Sequence, residues 1–413
     1  MTEDHADHSP PGPLDSPPGP LAGIKVIDAS NVLAGPVAGQ ILADFGADVV
    51  KIEHPTKPDG LRQLGRSKDG EGLWWKVIAR NKRNIALDLS SPDGAEICRK
   101  LSVGADVLIE NFRPSTMESW GLGYQSLSAD NPGLVMLRIT GFGQTGPYAN
   151  RPAFGTLIEA MSGFAMATGQ PDGEPTLPPL GLADTMAGLS GALGVVMALY
   201  HRDARGGAGQ QIDVSILEPL VSVMSPQPTV WDQLGQMTPR LGNQSDLNAP
   251  RNLYKTSDSK WIAMSSSTFA IAKRVMACVG HPEVVEEKWF ADGQGRVEHS
   301  AILDNYVAQW VAGKTRAEAI AEFEKAQAAV GPVYDVAELM ADPHVIARGI
   351  FETVDDEQLG RVKMPGLLMK MGETPGSIRH TGRRHGCDTD EVLGELGISQ
   401  GELEALRAKG VIA

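Results

Sequence analysis

The stretch GIKVIDASNVLAGPVAGQILADFGADVVKIE (residues 23–53) decides the fold, because two short apolar runs flank a segment long enough for a helix. Residues 23–28 and 47–53 each predict a buried strand, and residues 36–45 predict a helix that begins with a proline. Proline is favourable in the first turn of a helix, where its missing N–H would have no partner. A strand–helix–strand unit of this kind predicts two parallel strands in one sheet.

The same alternation of strand and helix continues through residue 140. The predicted elements are a strand at residues 84–89, a helix at 92–104, a strand at 107–110, a helix at 124–130 and a strand at 134–140. This order is typical of the α/β class, and we predict a large, doubly wound, Rossmann-like domain with a parallel sheet. Ligands bind such sheets beyond the carboxyl ends of the strands. The loops to inspect therefore follow Asp28, Glu53, Glu110 and Thr140.

The length of 413 residues exceeds what one typical core holds, so we expect a second, smaller α+β domain joined to the first by long linkers. The proline-rich N-terminus predicts a disordered tail. The predicted boundaries are a tail at 1–20, a large domain at 21–205 completed by 385–413, a linker at 206–250, a small domain at 251–345 and a return linker at 346–384.

Composition restricts the function further. A net charge of -14 argues against nucleic acid as a partner, because phosphate binding needs a basic surface. We expect no membrane partner, since no apolar run looks long enough to span a bilayer. The three cysteines are widely spaced and indicate a cytoplasmic location. No metal-binding motif is present, and the His380, His385 and Cys387 group lies among arginines, so we predict no metal site.

Asp184 is the only charge in the stretch GLADTMAGLSGA (residues 181–192). Apolar residues recur after it at helical spacing, which places Asp184 at a predicted helix N-cap. A carboxylate there is either an ordinary cap or a nucleophile, because the helix dipole favours its ionised form. The local pattern leaves both interpretations open.

Three other segments have the residue types of a binding site. Gly141 to Gly146 match G-x-G-x-x-G, but Pro147 prevents the following helix that dinucleotide binding requires, so a tight turn at the sheet edge is the better interpretation. Arg80 to Asn84 form a basic cluster that is either a solvated turn or a phosphate clamp. Asn111 and Phe112 follow a buried strand and could hold a purine, unless they form a plain turn.

Together these segments resemble the class III CoA-transferases of the CaiB/BaiF type. The resemblance runs from about residue 21 to the C-terminus, and its landmarks are residues 32–36, 46–53, 80–83, 110–114, 141–148, 182–184 and 388–397.

The resemblance implies a covalent mechanism in which Asp184 forms an acyl anhydride and then a CoA thioester, so that CoA passes from an acyl-CoA to a carboxylic acid. It implies CoA or acyl-CoA as substrate, no permanently bound cofactor, and an interlocked homodimer. The CoA contacts that it implies are Val32, Leu33, Ala34, His54, Asn81, Lys82, Arg83, Asn111, Phe112, Arg113, Gly141 and Phe142.

Departures from the family bear on the substrate. Leu33 stands where the formyl-CoA enzyme has glutamine, which argues against oxalate or formate. Phe154 stands where the racemase branch needs a histidine base, which argues against a racemase. A racemase or isomerase and a silent CoA-binding protein nevertheless remain the alternatives to a transferase. Resemblance to the dicarboxylate branch suggests succinyl-CoA as donor, and the arginines that could hold a distal carboxylate are Arg62, Arg66 and Arg151.

Overall fold

The computed structural model describes residues 19–413, so the predicted N-terminal tail lies largely outside the described residues. These residues form two compact units. The sheet unit contains the described residues up to Phe164 together with Pro178–Ser225 and Arg348–Ala413. The small unit contains Ala165–Leu177 and Pro226–Ala347.

The described part of the chain contains thirteen strands, most of them short. They are β1 (Lys25–Asp28), β2 (Asp48–Glu53), β3 (Ser67–Lys68), β4 (Glu71–Gly72), β5 (Lys82–Ala86), β6 (Val107–Glu110), β7 (Val135–Thr140), β8 (Gln211–Ser215), β9 (Arg251–Lys255), β10 (Trp261–Ser265), β11 (Val330–Pro332), β12 (Phe351–Asp356) and β13 (Gly360–Pro365).

Eighteen α-helices connect or cover these strands. They are α1 (Ala34–Asp44), α2 (Leu73–Ile78), α3 (Pro92–Val103), α4 (Thr116–Ser119), α5 (Tyr124–Asp130), α6 (Gly155–Met161), α7 (Phe164–Ala167), α8 (Leu182–Arg205), α9 (Leu217–Val223), α10 (Gln227–Leu234), α11 (Phe269–Cys278), α12 (Gly293–Glu298), α13 (Ser300–Ala312), α14 (Arg316–Lys325), α15 (Val336–Ala341), α16 (Pro343–Ala347), α17 (Thr389–Glu395) and α18 (Gln400–Ala408).

The sheet unit is built on a six-stranded sheet with the order β5-β2-β1-β6-β7-β8, in which every neighbouring pair is parallel. In register, Val26 of β1 lies between Val49 of β2 and Val107 of β6. One face of the sheet packs on α1 and α8, and the other packs on α3, α5, α17 and α18. Helices on both faces explain the nearly continuous apolar sequence of the central strands. This confirms the predicted α/β class with a doubly wound parallel sheet.

Both predicted linkers contain β-strands. The segment 206–250, predicted as a linker, contains β8, which is one of the two edge strands of the large sheet. The sequence of β8, QIDVS, alternates in polarity and is only partly buried, so it lacks the apolar run of a central strand. The predicted return linker 346–384 contains the antiparallel β12–β13 hairpin.

Helix α8 corrects two expectations from the sequence. Gly181 is its N-cap residue, and Asp184 is the third residue of the helix, so Asp184 is not the cap. Helix α8 is also long and apolar enough to cross a membrane, and it is the one such helix among residues 19–413. The sequence had predicted no apolar segment of that length. Its buried residues, including Ala187 and Val195, lie in the core against the sheet, where a covering helix of an α/β unit belongs.

The small unit has its own core. Strands β9, β10 and β11 form an antiparallel sheet with β10 in the centre. Helices α11, α13 and α14 contribute to the apolar cluster of this unit, in which Phe290 and Phe323 are fully buried. An antiparallel sheet packed with helices agrees with the α+β type expected for the smaller domain.

Candidate active site

Asp184 lies in the first turn of α8, close to the start of α6. The backbone amide of Gly155 donates a hydrogen bond to the Asp184 carboxylate. A Cβ atom built on Gly155 would lie 2.3 Å from Oδ2 of Asp184, so a side chain at this position would displace the carboxylate. Glycine is therefore required where α6 begins, because the backbone approaches the carboxylate so closely.

The surroundings of Asp184 weaken its acidity. Burial raises the pKa of Asp184 to about 6, and the negative charge of Glu159 adds to this effect, while the Gly155 amide opposes it. Because this value remains below 7, the carboxylate is mainly ionised at neutral pH. A partly desolvated carboxylate that is ionised but has a raised pKa is a better nucleophile than a fully hydrated one. The N-terminal position in the helix thus does not hold the pKa low, contrary to the expectation from the sequence.

The loop after β1 reaches the first turn of α8. Leu33 is buried, and its Cδ2 atom lies 2.5 Å from where a Cβ atom of Gly181 would be, three residues before Asp184. Val32 has a φ of 66°, a left-handed conformation that β-branched residues rarely adopt. Its amide donates to Asp59 Oδ1 at 2.8 Å, which holds the loop in this conformation. Ala34 begins α1 at the end of the loop and is buried.

The same loop also contacts the strand end after β6. Asn31 and Asn111 pair reciprocally, since the Asn31 amide donates to Asn111 Oδ1 and Asn111 Nδ2 donates to the Asn31 carbonyl, both at 2.7 Å. Asn111 is therefore engaged in joining two loops at the carboxyl edge of the sheet. This edge is the one where parallel sheets bind ligands.

A cavity of about 400 Å³ opens at this edge, and we call it the aromatic cavity. Phe112 and Trp120 line it, with their ring centroids 5.1 Å apart in an edge-to-face arrangement. His54 and Lys57 provide basic groups, and His54 Nε2 lies 3.7 Å from Asp88 Oδ1. Flat rings suit a purine and basic groups suit phosphates, so the cavity has the chemistry of a nucleotide site.

The basic cluster predicted as a phosphate clamp is not brought to the aromatic cavity. Lys82 is buried at the start of β5, where its Nζ atom lies 2.8 Å from Asp28 Oδ2. Asn81 Nδ2 donates to Asp44 Oδ1 at 2.8 Å, and Arg83 pairs with Asp48 at 2.7 Å. These side chains lie at the amino end of β5, whereas the cavity is lined from its carboxyl end. Internal ion pairs, rather than a ligand, account for the cluster.

The remaining predicted CoA contacts, Arg113, Gly141 and Phe142, do not line the aromatic cavity. Arg113 follows Phe112 in the chain, but it is exposed and does not line the aromatic cavity. Gly141 follows β7, and a Cβ atom there would lie 2.2 Å from Cβ of Ala153, two residues before Gly155. Phe142 packs edge-to-face on Tyr148 at 5.6 Å. Gly141 and Phe142 therefore support the segment that carries Gly155.

The sequence analysis missed four residues of this region. Gly155 and Glu159 are four residues apart on α6, a spacing that puts both on one helix face. That spacing was readable from the sequence, but nothing local connects it with Asp184. Lys57 and Trp120 were missed because they reach the aromatic cavity from loops whose course only the fold determines. Within residues 19–413, no group of three or more His, Cys, Asp or Glu side chains could hold a metal ion.

Comparisons with known proteins show the family of the chain. The sequence pattern described as CoA-transferase family III matches residues 21–389. The chain is 39% identical over 398 residues to the succinyl-CoA–D-citramalate CoA-transferase of Chloroflexus aurantiacus, which covers 96% of this chain and 99% of the relative. It is 34% identical to the succinate–glutarate CoA-transferase of Agrobacterium fabrum, over 91% of this chain and 96% of the relative.

A solved structure has the same fold. The crystal structure of a CAIB/BAIF family protein from Brucella suis superposes with a TM-score of 0.81 at 31% identity, covering 92% of this chain and 100% of that chain. Both the sequence pattern and the full-length relatives thus extend over nearly the whole chain, and the relatives named above are transferases. The chain belongs to CoA-transferase family III and is a CoA-transferase that acts on acyl-CoA and carboxylic acids.

Proposed function

We propose that this enzyme transfers CoA from succinyl-CoA, or a similar donor, to a carboxylic acid acceptor, with Asp184 as the covalent nucleophile. The donor is inferred from the relatives, whose names specify succinyl-CoA or succinate. The observation that carries the proposal is the half-buried Asp184 carboxylate, held by the Gly155 amide beside the loop that leads to the aromatic cavity.

The reaction proceeds by exchange of acyl groups on Asp184. An Asp184 oxygen attacks the thioester carbon, the C–S bond breaks, and CoA leaves as a thiolate while an acyl-aspartyl anhydride forms. The thiolate then attacks the aspartyl carbon of the anhydride, which releases the donor acid and leaves an aspartyl-CoA thioester. The acceptor carboxylate attacks this thioester to form a second anhydride and free the thiolate. Attack of the thiolate on the acceptor carbon yields the new acyl-CoA and restores Asp184.

The two ends of the site have different tasks in this scheme. The aromatic cavity binds the adenine nucleotide of CoA between flat rings and basic groups, as Phe112, Trp120, His54 and Lys57 allow. The loop from Asn31 to Leu33 guides the thioester arm toward Asp184. Because this loop is held by its neighbours before any ligand binds, little ordering is required on binding.

Trapping of the covalent intermediate tests the proposal. The wild-type enzyme is incubated with succinyl-CoA and hydroxylamine, which converts an anhydride or thioester into a hydroxamate, and the intact protein is analysed by mass spectrometry. We expect a hydroxamate at Asp184 that is absent from Asp184→Asn. If CoA binds to wild type without any adduct from a panel of acyl-CoA donors, Asp184 is not the nucleophile.

We also propose that the enzyme is an interlocked homodimer in the cytoplasm. Four large apolar side chains of α8 are exposed in the single chain, Leu193, Val196, Met197 and Tyr200, and an exposed apolar surface of this kind is typical of an interface. The three cysteines are unpaired, which suits a reducing compartment. Light scattering on the purified protein tests the dimer, and a monomer at micromolar concentration would contradict it.

A further inference from the structure

Helix α6 presents two groups toward the first turn of α8. Gly155 supplies the amide that holds Asp184, and Glu159 lies one turn further along the same helix face. Glu159 is only 2% exposed, and its Oε1 atom accepts a hydrogen bond of 3.1 Å from the Ala183 amide. The reactive carboxylate and a second buried carboxylate therefore belong to the same small region, joined through consecutive residues of α8.

No cation balances this pair within the described residues, since Glu159 is the one charged group that acts on Asp184. The neighbouring elements contribute charges that are exposed or engaged elsewhere. These are Asp44 of α1, paired with Arg80; Arg138 of β7, paired with Glu110 and Glu118; Asp213 of β8, which accepts from the Gln144 amide; Glu218 of α9, which is exposed; Arg151, stacked on Tyr148; and Arg202, Asp203 and Arg205 in the last turns of α8.

A buried carboxylate beside a nucleophilic carboxylate raises the energy of the ionised nucleophile, because two like charges repel each other in a partly desolvated region. When the Asp184 oxygen attacks the thioester, Asp184 becomes a neutral anhydride and the negative charge moves to the departing CoA sulfur. The repulsion between the two carboxylates disappears in that step. The ionised enzyme is thus raised in energy relative to the acylated one, and only the free carboxylate experiences the repulsion.

We propose that Glu159 is a positioning residue that activates Asp184, because its fixed negative charge favours the step in which Asp184 loses its own charge. This inference rests on the proposed function, since it requires acylation of Asp184. The hydrogen bond to the Ala183 amide holds Glu159 in place and also satisfies one of the free amides at the start of α8. The same residue thus fixes the first turn of α8 and supplies the charge.

The test separates charge from structure with three variants. Glu159→Gln keeps an acceptor for the Ala183 amide and removes the charge, Glu159→Asp keeps the charge, and Glu218→Gln removes an exposed charge from the neighbouring α9. For each variant, formation of the Asp184 adduct with succinyl-CoA is followed by rapid quench and mass spectrometry between pH 4.5 and 8, as a rate per folded protein.

For Glu159→Gln we expect the acidic limb of the pH profile to move to lower pH, and adduct formation at pH 7.5 to slow by about three- to tenfold, because a less basic carboxylate is a weaker nucleophile. The share of enzyme present as adduct at equilibrium should fall as well. Glu159→Asp should restore the wild-type limb, and Glu218→Gln should match wild type throughout.

An unchanged acidic limb in Glu159→Gln, with normal trapping in wild type, would overturn the role of Glu159 and leave the function of Asp184 intact. A Glu159→Asp variant as slow as Glu159→Gln would do the same, because geometry rather than charge would then matter. Absence of the adduct from wild type would instead refute the proposed function, so the two failures are distinguishable.

Discussion

A Cβ atom at residue 155 would lie 2.3 Å from Oδ2 of Asp184, whose carboxylate accepts a hydrogen bond from the Gly155 amide. The distance is too short for any side chain, so the backbone of α6 and the carboxylate of α8 define each other's positions. This contact fixes the position of the Asp184 carboxylate at the start of α8.

Gly155→Ala should therefore damage activity more than stability. The methyl group pushes Asp184 out of position, and a misplacement of about 1 Å at a reacting group can cost about a hundredfold in kcat. Steady-state kinetics with succinyl-CoA measure the loss. Thr156→Ala, the exposed neighbour, is the control and should retain wild-type kinetics. Equal kinetics for Gly155→Ala would show that Asp184 does not need this position.

Transferase activity should fall as the pH decreases through about 6. Burial, with the charge of Glu159, raises the pKa of Asp184 to about 6, and only the ionised carboxylate can attack. The profile of kcat/KM against pH should show one acidic limb there. A limb near pH 4, the ordinary range of aspartate, would contradict the burial of the nucleophile in the working enzyme.

Asp184→Asn should make the folded protein more stable at pH 7.5. A carboxyl pKa raised on folding means that the native state holds its proton more tightly than the unfolded state, so the wild-type protein loses stability as the pH rises from about 4 to 6. The amide of the variant does not carry this cost. Its free energy of unfolding should therefore exceed that of wild type by about 1 to 3 kcal/mol at pH 7.5, and the difference should decrease toward zero at pH 4. Urea unfolding at both pH values measures it, and equal stability of the two proteins at pH 7.5 would count against a buried charge.

Phe112→Ala should weaken CoA binding by about tenfold, because the stacking contact of the ring contributes about 1 kcal/mol or more to the binding free energy. The phenyl ring lines the aromatic cavity beside Trp120. Calorimetric titration with CoA measures the effect, and pantetheine, which lacks the nucleotide, is the control ligand. A similar loss of affinity for both ligands would place the nucleotide elsewhere.

Lys82→Met should lower the free energy of unfolding by about 3 to 5 kcal/mol, because the substitution removes the ammonium group that lies 2.8 Å from the buried Asp28 carboxylate. Arg83→Met, next in the chain, breaks partly exposed pairs with Asp48 and Glu395 and should cost about 1 kcal/mol or less. Denaturant unfolding distinguishes the two. A stable Lys82→Met protein with weakened CoA binding would restore the interpretation of a phosphate clamp.

Arg151→Ala should raise the KM for dicarboxylic acceptors by about tenfold, since one charged contact is worth about 1 to 2 kcal/mol. Its guanidinium lies 3.6 Å over the Tyr148 ring and is exposed, whereas Arg62 is already paired with Glu53 at 2.6 Å. Monocarboxylic acceptors should show no change. Arg66→Ala, which removes another exposed arginine, serves as a control; a larger effect there would reassign the contact.

The local pattern of residues was sufficient to predict most of the large sheet. The βαβ unit at residues 23–53 and the strand at 107–110 were predictable from the spacing of apolar residues. Buried parallel strands are mostly apolar along their length, whereas apolar residues in the helices between them recur every three or four residues. The edge strand β8 was not, since this strand is only partly buried and its alternating sequence resembles a surface segment.

Some residues of the candidate site were also predictable from the sequence, and others were not. Asp184 was identifiable because a single carboxylate in an apolar stretch must have a structural or chemical reason. Its neighbours Gly155 and Glu159 were decided by the packing of α6 on α8, which no short stretch of sequence specifies. The basic residues from Arg80 to Arg83 had the composition of a ligand site, yet tertiary structure paired them with the chain's own carboxylates. Residue type thus determined what chemistry was available, and long-range contacts decided where the charges of Arg80 to Arg83 are neutralised and which side chains lie beside Asp184.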